Sequence, residues 1–249
     1  LSLGNKRPEI TVYDPGLSKD QASELSKKSI TISSEVSVLE KPADIVTMAV
    51  KPQIMKQACQ TAMPAIKDET TIVSIAAGYR ISNFEKIFGS NQPVIRTMPN
   101  TPAAVGHGAI VGVCNDNVVK KHKNLTAELL SPLGIFEWVD DENLLNAVTA
   151  ISGSGPAYVF LMMEALRDAG ISLGLTQSLA TKLALQTIKG GALLAENDMA
   201  ISFERLRENV TSPGGTTEQA LNILMNNDAL KDLIKQAAEG ACKRSEELS

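Results

Sequence analysis

The residues best suited to chemistry lie in one short run, Asn209 to Thr217, which reads NVTSPGGTT and passes directly into EQALNILM. Pro213 fixes its own φ, Gly214 and Gly215 accept backbone angles closed to other residues, and Thr216 or Thr217 can cap the apolar-periodic helix that follows. Such a bare helix N-terminus gathers unpaired amides at the positive end of the macrodipole, and two residues without Cβ let a ligand come close to the backbone. A small anion such as a carboxylate suits it. The two hydroxyls can then address a second polar atom of the ligand. Read blandly, the same run is a Pro-Gly turn with a Thr216–Gln219 capping box, and from this segment alone that alternative stays open.

A second set of residues sits where strands should end. Candidate strand Glu9 to Tyr13 ends in Asp14-Pro15, and Asp44 to Val50 in Ala49-Val50-Lys51-Pro52. Thr71 to Ala76 ends in Ser74-Ile75-Ala76-Ala77-Gly78, and Pro93 to Met98 in Met98-Pro99-Asn100-Thr101-Pro102. Small residues and prolines at four tips leave a rigid crevice with little side-chain bulk, as a flat dinucleotide requires, although any single tip reads equally well as a plain loop. Asp14 stands where dinucleotide folds place an acid on the adenine ribose, or it is simply a turn former before proline. The expected G-x-G-x-x-G turn about 20 residues earlier is missing. Only Leu1 to Pro8 precede the strand, and Gly4 alone cannot form that loop, so either the true N-terminus is lacking or the phosphate cradle has been lost.

The elements behind these tips alternate. Helices are expected at Ser18 to Lys28, near Glu35 to Lys41, at Gln53 to Ala65, Ser82 to Phe88 and Val118 to Leu130, with further strands at Ile30 to Ile32, Ala109 to Cys114 and Ile135 to Val139. Repeated βα units imply a doubly wound, Rossmann-like parallel sheet covered on both faces, in residues 1–140. Residues 141–249 read as helix throughout. There Ser152-Gly153-Ser154-Gly155-Pro156 steps into a helix from Ala157 to about Ala169 that is apolar nearly all round, which points to a dimer interface.

The 249 residues, 43% hydrophobic with net charge −4, fit one large or two ordinary domains and make nucleic acid or an anionic membrane a poor partner. The longest apolar runs, such as Ala157 to Met163, fall short of the ~20 residues of a membrane span. The start lacks the pattern of a signal peptide, and Cys59, Cys114 and Cys242 are odd in number with no zinc spacing, so a cytoplasmic setting is expected and no metal. Cys114 reads as core, the run Val119 to Lys123 including His122 as a solvated helix face, and His107 as a loop residue.

With AVKP, SIAAG, RTMPNTP, ISGSGPAYVF and VTSPGGTTEQAL in this order, the chain resembles pyrroline-5-carboxylate reductase, the last enzyme of proline synthesis, over essentially its whole length. The resemblance implies a Rossmann domain binding NADP or NAD, then an all-helical domain that interlocks with its twin as a homodimer, extended in some members to a pentamer of dimers. It implies pyrroline-5-carboxylate and proline as ligands: backbone amides of Gly215 and Thr216 hold the carboxylate, the Thr217 hydroxyl meets the ring nitrogen as the catalytic contact, and Asn209 lines the same stretch. Ala49, Val50, Lys51, Ala77, Met98 and Asn100 take cofactor-facing positions, and Asp14 the ribose position. Asp141, with Glu142 beside it, falls near an acidic neighbour of the substrate. Hydride delivery to a C=N carbon needs positioning more than a strong base, since an iminium is already electrophilic. Two rivals stand beside this reading: a β-hydroxyacid-dehydrogenase-like reductase, whose lysine is absent from SGSGPAYVFLMMEAL, and a non-catalytic, truncated proline-binding paralogue.

Overall fold

The computed structural model describes residues 8–36 and 41–248. The chain divides into two compact units, Leu1–Gly153 with Cys242–Ser249, and Ser154–Ala241. The dinucleotide-binding segment read from the sequence, residues 1–140, lies inside the first of them.

In the first unit, strand β1 (Thr11–Tyr13) pairs in parallel with β2 (Thr31–Ser33), with helix α1 (Lys19–Lys27) between them in sequence. Ser18 starts α1 with a full capping box, accepting from the Gln21 amide while the Gln21 side chain accepts from the Ser18 amide. The helix expected near Glu35 to Lys41 falls mostly on residues 37–40, outside the described residues; Glu35 and Val36 are not helical.

A second sheet contains β3 (Ile45–Met48), β4 (Thr71–Ser74), β5 (Val94–Met98), β6 (Gly108–Cys114) and β7 (Gly134–Trp138), in that order. The first three are parallel, with α2 (Met55–Ala62) and α3 (Ile81–Phe88) in their crossovers. The uniformly parallel sheet expected from the sequence then reverses: β6 is antiparallel to β5, and β7 is parallel to β6. Residues 99–107 hold only a 3-10 segment, whereas a parallel return needs about a dozen residues or more. Helix α4 (Lys120–Leu130) makes the longer crossing from β6 to β7. The reversal brings the start of β6 to the edge where β3, β4 and β5 end. Gly134, at φ +142°, abuts Gly108 there so closely that any Cβ would strike the Gly108 backbone.

Strands β4 and β5 are buried on both faces, which is why they read as unbroken apolar runs. Around them Met55, Ile72, Phe84, Val94 and Leu145 are fully buried, each contributing about 1.5 to 3 kcal/mol. Burial also pushes the Cys59 thiol up to about 11, which makes it an inert core group. Cys114, expected in the core, is half-buried.

His122 departs from its expected place. The solvated-face reading fits Lys120 and Lys121, which are exposed, but His122 is only 7% exposed. Its Nδ1 lies 2.7 Å from the Thr71 hydroxyl and its Nε2 3.6 Å from the Asp44 carboxylate. It shares the sheet-facing side of α4 with Thr126, one turn on.

Helix α5 (Leu144–Val148) runs into a π-helical turn, Thr149–Gly153. The glycine-rich step SGSGP therefore begins inside that turn and does not open a free helix end. In the second unit, α6 (Gly155–Ser172) packs on α7 (Gln177–Asn197), followed by α8 (Phe203–Asn209), α9 (Thr216–Leu224) and α10 (Ala229–Glu247), whose residues from Cys242 on belong to the first unit. The run Leu144–Ser172 is long and apolar enough, by length and composition, to cross a membrane, a length hidden in the sequence by the polar and glycine interruptions of SGSGP. Phe160 (62% exposed) and Leu161 (65%) lie open on α6, an apolar surface of the kind that marks a protein interface.

Candidate active site

One edge of the five-stranded sheet carries most of the expected cofactor positions. Ala49 and Lys51 are exposed just past β3, Val50 is half-buried, Ala77 is exposed past β4, and Met98 and Asn100 are half-buried at the end of β5. The tips are braced from within: the Thr97 hydroxyl donates to the Ser74 carbonyl (3.1 Å), and the Ala76 amide to the Ser74 hydroxyl (3.3 Å). The small exposed side chains and the uncommitted Lys51 ammonium, which has no ion pair among the described residues, fit a flat, phosphate-bearing cofactor.

Asn100 has a second occupation. Its Nδ2 donates to the Ser152 carbonyl (2.9 Å) and its Oδ1 accepts from the Ala109 amide (2.8 Å), so it ties the β5 tip to the first residues of β6 and to the π-helical turn. Asp14 follows β1 of the separate two-stranded sheet, which no ladder joins to β3 among the described residues. Its carboxylate accepts from the Gly16 amide (2.9 Å), the turn-forming alternative, with no partner at the other oxygen among the described residues.

The acidic pair before α5 is divided between two tasks. Asp141 is exposed and accepts from the Asn143 amide (2.9 Å). Glu142 is an internal anchor: one oxygen accepts from buried Arg96 (3.0 Å) and from the Ile81 amide at the start of α3 (2.9 Å), and Arg80 lies 3.6 Å from the other.

In the second unit, Asn209 closes α8 and is exposed. The loop then makes a tight turn, with the Gly215 amide donating to the Ser212 carbonyl (3.0 Å) and Gly214 at φ +72°. Gly215 is the N-cap of α9 in an extended conformation, and no side chain caps the helix. Neither threonine caps it, and the Thr216–Gln219 box does not form, because both threonines already lie within the first turn of α9. Of the two amides expected to hold a carboxylate, that of Gly215 is engaged in the turn; those of Thr216 and Thr217 have no acceptor among the described residues. The Gly214 amide donates to the Glu218 carboxylate (2.8 Å), a contact the sequence reading missed. Its signal was present, since a glutamate three residues after the N-cap is the usual back-reaching partner. The expected substrate positions Asn209, Gly215, Thr216 and Thr217 thus fall on one loop, with Asp141 apart in the first unit, and the expected cofactor positions, Asp14 apart, on one sheet edge.

The dimerisation model of pyrroline-5-carboxylate reductase matches residues 142–248. A pyrroline-5-carboxylate reductase of Pseudomonas aeruginosa is 42% identical over 97% of this chain and 87% of its own length. The chain belongs to the pyrroline-5-carboxylate reductase family. The structure of a pyrroline-5-carboxylate reductase from Coxiella burnetii is 36% identical and superposes with a TM-score of 0.88 over 96% of this chain and 88% of that one. A pyrroline carboxylate reductase of Plasmodium falciparum, solved with NADP bound, is 32% identical with a TM-score of 0.80 over 96% and 86%. Within this family the open apolar faces of α6 and α7 fall inside the dimerisation segment. The β-hydroxyacid-dehydrogenase alternative gives way to that membership.

Proposed function

We propose that the chain reduces 1-pyrroline-5-carboxylate to L-proline with NADPH or NADH, as a homodimer. The observation that carries the reading is the uncapped start of α9, where two adjacent amides without acceptors among the described residues stand beside the Thr217 hydroxyl. The Thr216 and Thr217 amides receive the substrate carboxylate, helped by the positive end of the helix. The Thr217 hydroxyl oxygen accepts from the N–H of the iminium, which fixes the ring for hydride attack at the adjacent carbon, and Asn209 lines the approach. The nicotinamide supplies the hydride. Lys51 and the backbone at Ala49, Val50 and Ala77 orient it, Met98 packs beneath it, and Asn100 keeps the β5 tip in place. Asp14 leans the preference toward NADH, since a carboxylate there opposes a 2′-phosphate. Positioning of this kind supplies roughly 7 to 11 kcal/mol of a bimolecular barrier.

The division into a dinucleotide-binding segment, 1–140, and a helical substrate and dimerisation segment, 141–249, is part of the same proposal, as are a cytoplasmic setting and assembly of dimers into a ring of five. Asp141 serves as an acidic neighbour of the substrate. The test is oxidation of NADPH and of NADH by the purified protein with racemic pyrroline-5-carboxylate. Substrate-dependent oxidation with proline as product is expected; binding of proline without turnover would favour the non-catalytic alternative.

A further inference from the structure

We propose that Glu218 is a positioning residue that holds the Ser212–Gly215 turn in the shape the substrate carboxylate requires. This rests on the reading of the α9 start as the substrate site. Pro213 at the second position and Gly214 at φ +72° in the third match a type II turn, closed by the bond from the Gly215 amide to the Ser212 carbonyl (3.0 Å). A turn of that type leaves the amide of its third residue facing away from the closing bond, without a partner of its own. Here Glu218 takes that amide, at 2.8 Å. Glu218 is the third residue of α9, fixed by the helix and half-buried, so its side chain fastens the turn to the first helical turn. The usual capping box sends such a glutamate to the N-cap amide. In this loop the N-cap amide, that of Gly215, is already engaged, and the bond moves one residue back. The Thr216 and Thr217 amides lie between the two fastened points, so their direction depends on both.

The function asked of Glu218 is reach rather than charge, and three variants separate the two. Glu218→Gln keeps the length and one carbonyl oxygen; Glu218→Asp keeps the charge but is one methylene short; Glu218→Ala has neither. Steady-state kinetics with pyrroline-5-carboxylate are expected to give KM at or below the wild-type value for Glu218→Gln. For Glu218→Asp and Glu218→Ala, KM should rise on the order of tenfold, as loss of one hydrogen bond entails. KM for the nicotinamide cofactor stays unchanged in all three. Wild-type KM in Glu218→Ala, a rise in Glu218→Gln with none in Glu218→Asp, or an equal rise in the cofactor KM would each overturn the assignment. Thr217→Ala, measured alongside, marks the site itself: if it is unimpaired, the substrate-site reading fails, whereas impairment there with an unaffected Glu218→Ala rejects Glu218 alone.

Discussion

Replacing Glu142 with alanine tests whether an acid that lies in sequence beside a proposed substrate position is in fact an internal anchor. Its partner Arg96 has a side chain 3% exposed, while Glu142 itself keeps 17%. Removing the carboxylate leaves a buried guanidinium uncompensated and strips the acceptor from the Ile81 amide at the start of α3. Breaking a buried pair from one side costs about 3 to 5 kcal/mol, and the solvent that reaches Glu142 places this case near the lower end, at about 3 kcal/mol. The contact to Arg80, at 3.6 Å with that side chain 37% exposed, adds little. For a chain of this size about 3 kcal/mol lowers the thermal midpoint by roughly 6 to 12 °C. The assay is thermal unfolding followed by circular dichroism at one fixed protein concentration, because association contributes to the midpoint. Replacing both partners with apolar residues, as in R96M with E142L, should recover much of the loss, since no charge is then stranded. A single E142A variant melting within about 4 °C of wild type, or roughly 1 kcal/mol, would refute the anchoring role.

Thr217→Ala should lower kcat with pyrroline-5-carboxylate on the order of a hundredfold while leaving the cofactor KM in place; equal losses in both would remove its assigned contact. His122→Ala strands the Thr71 hydroxyl to which the ring lies 2.7 Å away. It should cost about 1 to 3 kcal/mol in denaturant unfolding with both KM values unchanged, since Thr71 begins β4 at the edge opposite the tips. The Lys121 ammonium, 2.6 Å from Asp44, holds that carboxyl below its usual range. A depressed carboxylate contributes stability above its unfolded pKa and loses it as pH falls through the folded value. Asp44→Asn should therefore cost less than ~1 kcal/mol near neutrality, given an exposed pair, and the difference from wild type should vanish at strongly acid pH; a gap that persists there would show that charge is not the cause.

The parts of the fold that local pattern controls were legible in the sequence. β-branched runs marked β3, β4 and β5, and the helix expected at Ser18 to Lys28 formed as α1, because such signals act within a few residues. The direction of β6 depends on the length of residues 99–107, a cue that is present in the chain but is masked by the strong βα rhythm before it. His122 was misread because three neighbouring lysines dominate the local charge, while the burial of its ring is decided by Thr71, far away in sequence. At the candidate site, composition marked the loop before α9 but assigned the wrong cap. Gly215, lacking a side chain, is itself the N-cap, and the glutamate that fastens the loop was passed over for the glutamine one position later. Asn100 was read as facing the cofactor, yet the partners of its side chain, Ser152 and Ala109, come together only in the folded sheet.

The central claim is that the start of α9 holds a negatively charged ring compound, and a structure of the protein with bound L-proline tests it most directly. The proline carboxylate should lie within hydrogen-bonding distance of the Thr216 and Thr217 amides, with the ring nitrogen at the Thr217 hydroxyl. Proline lodged elsewhere, or another segment of the protein filling that helix start, would contradict it.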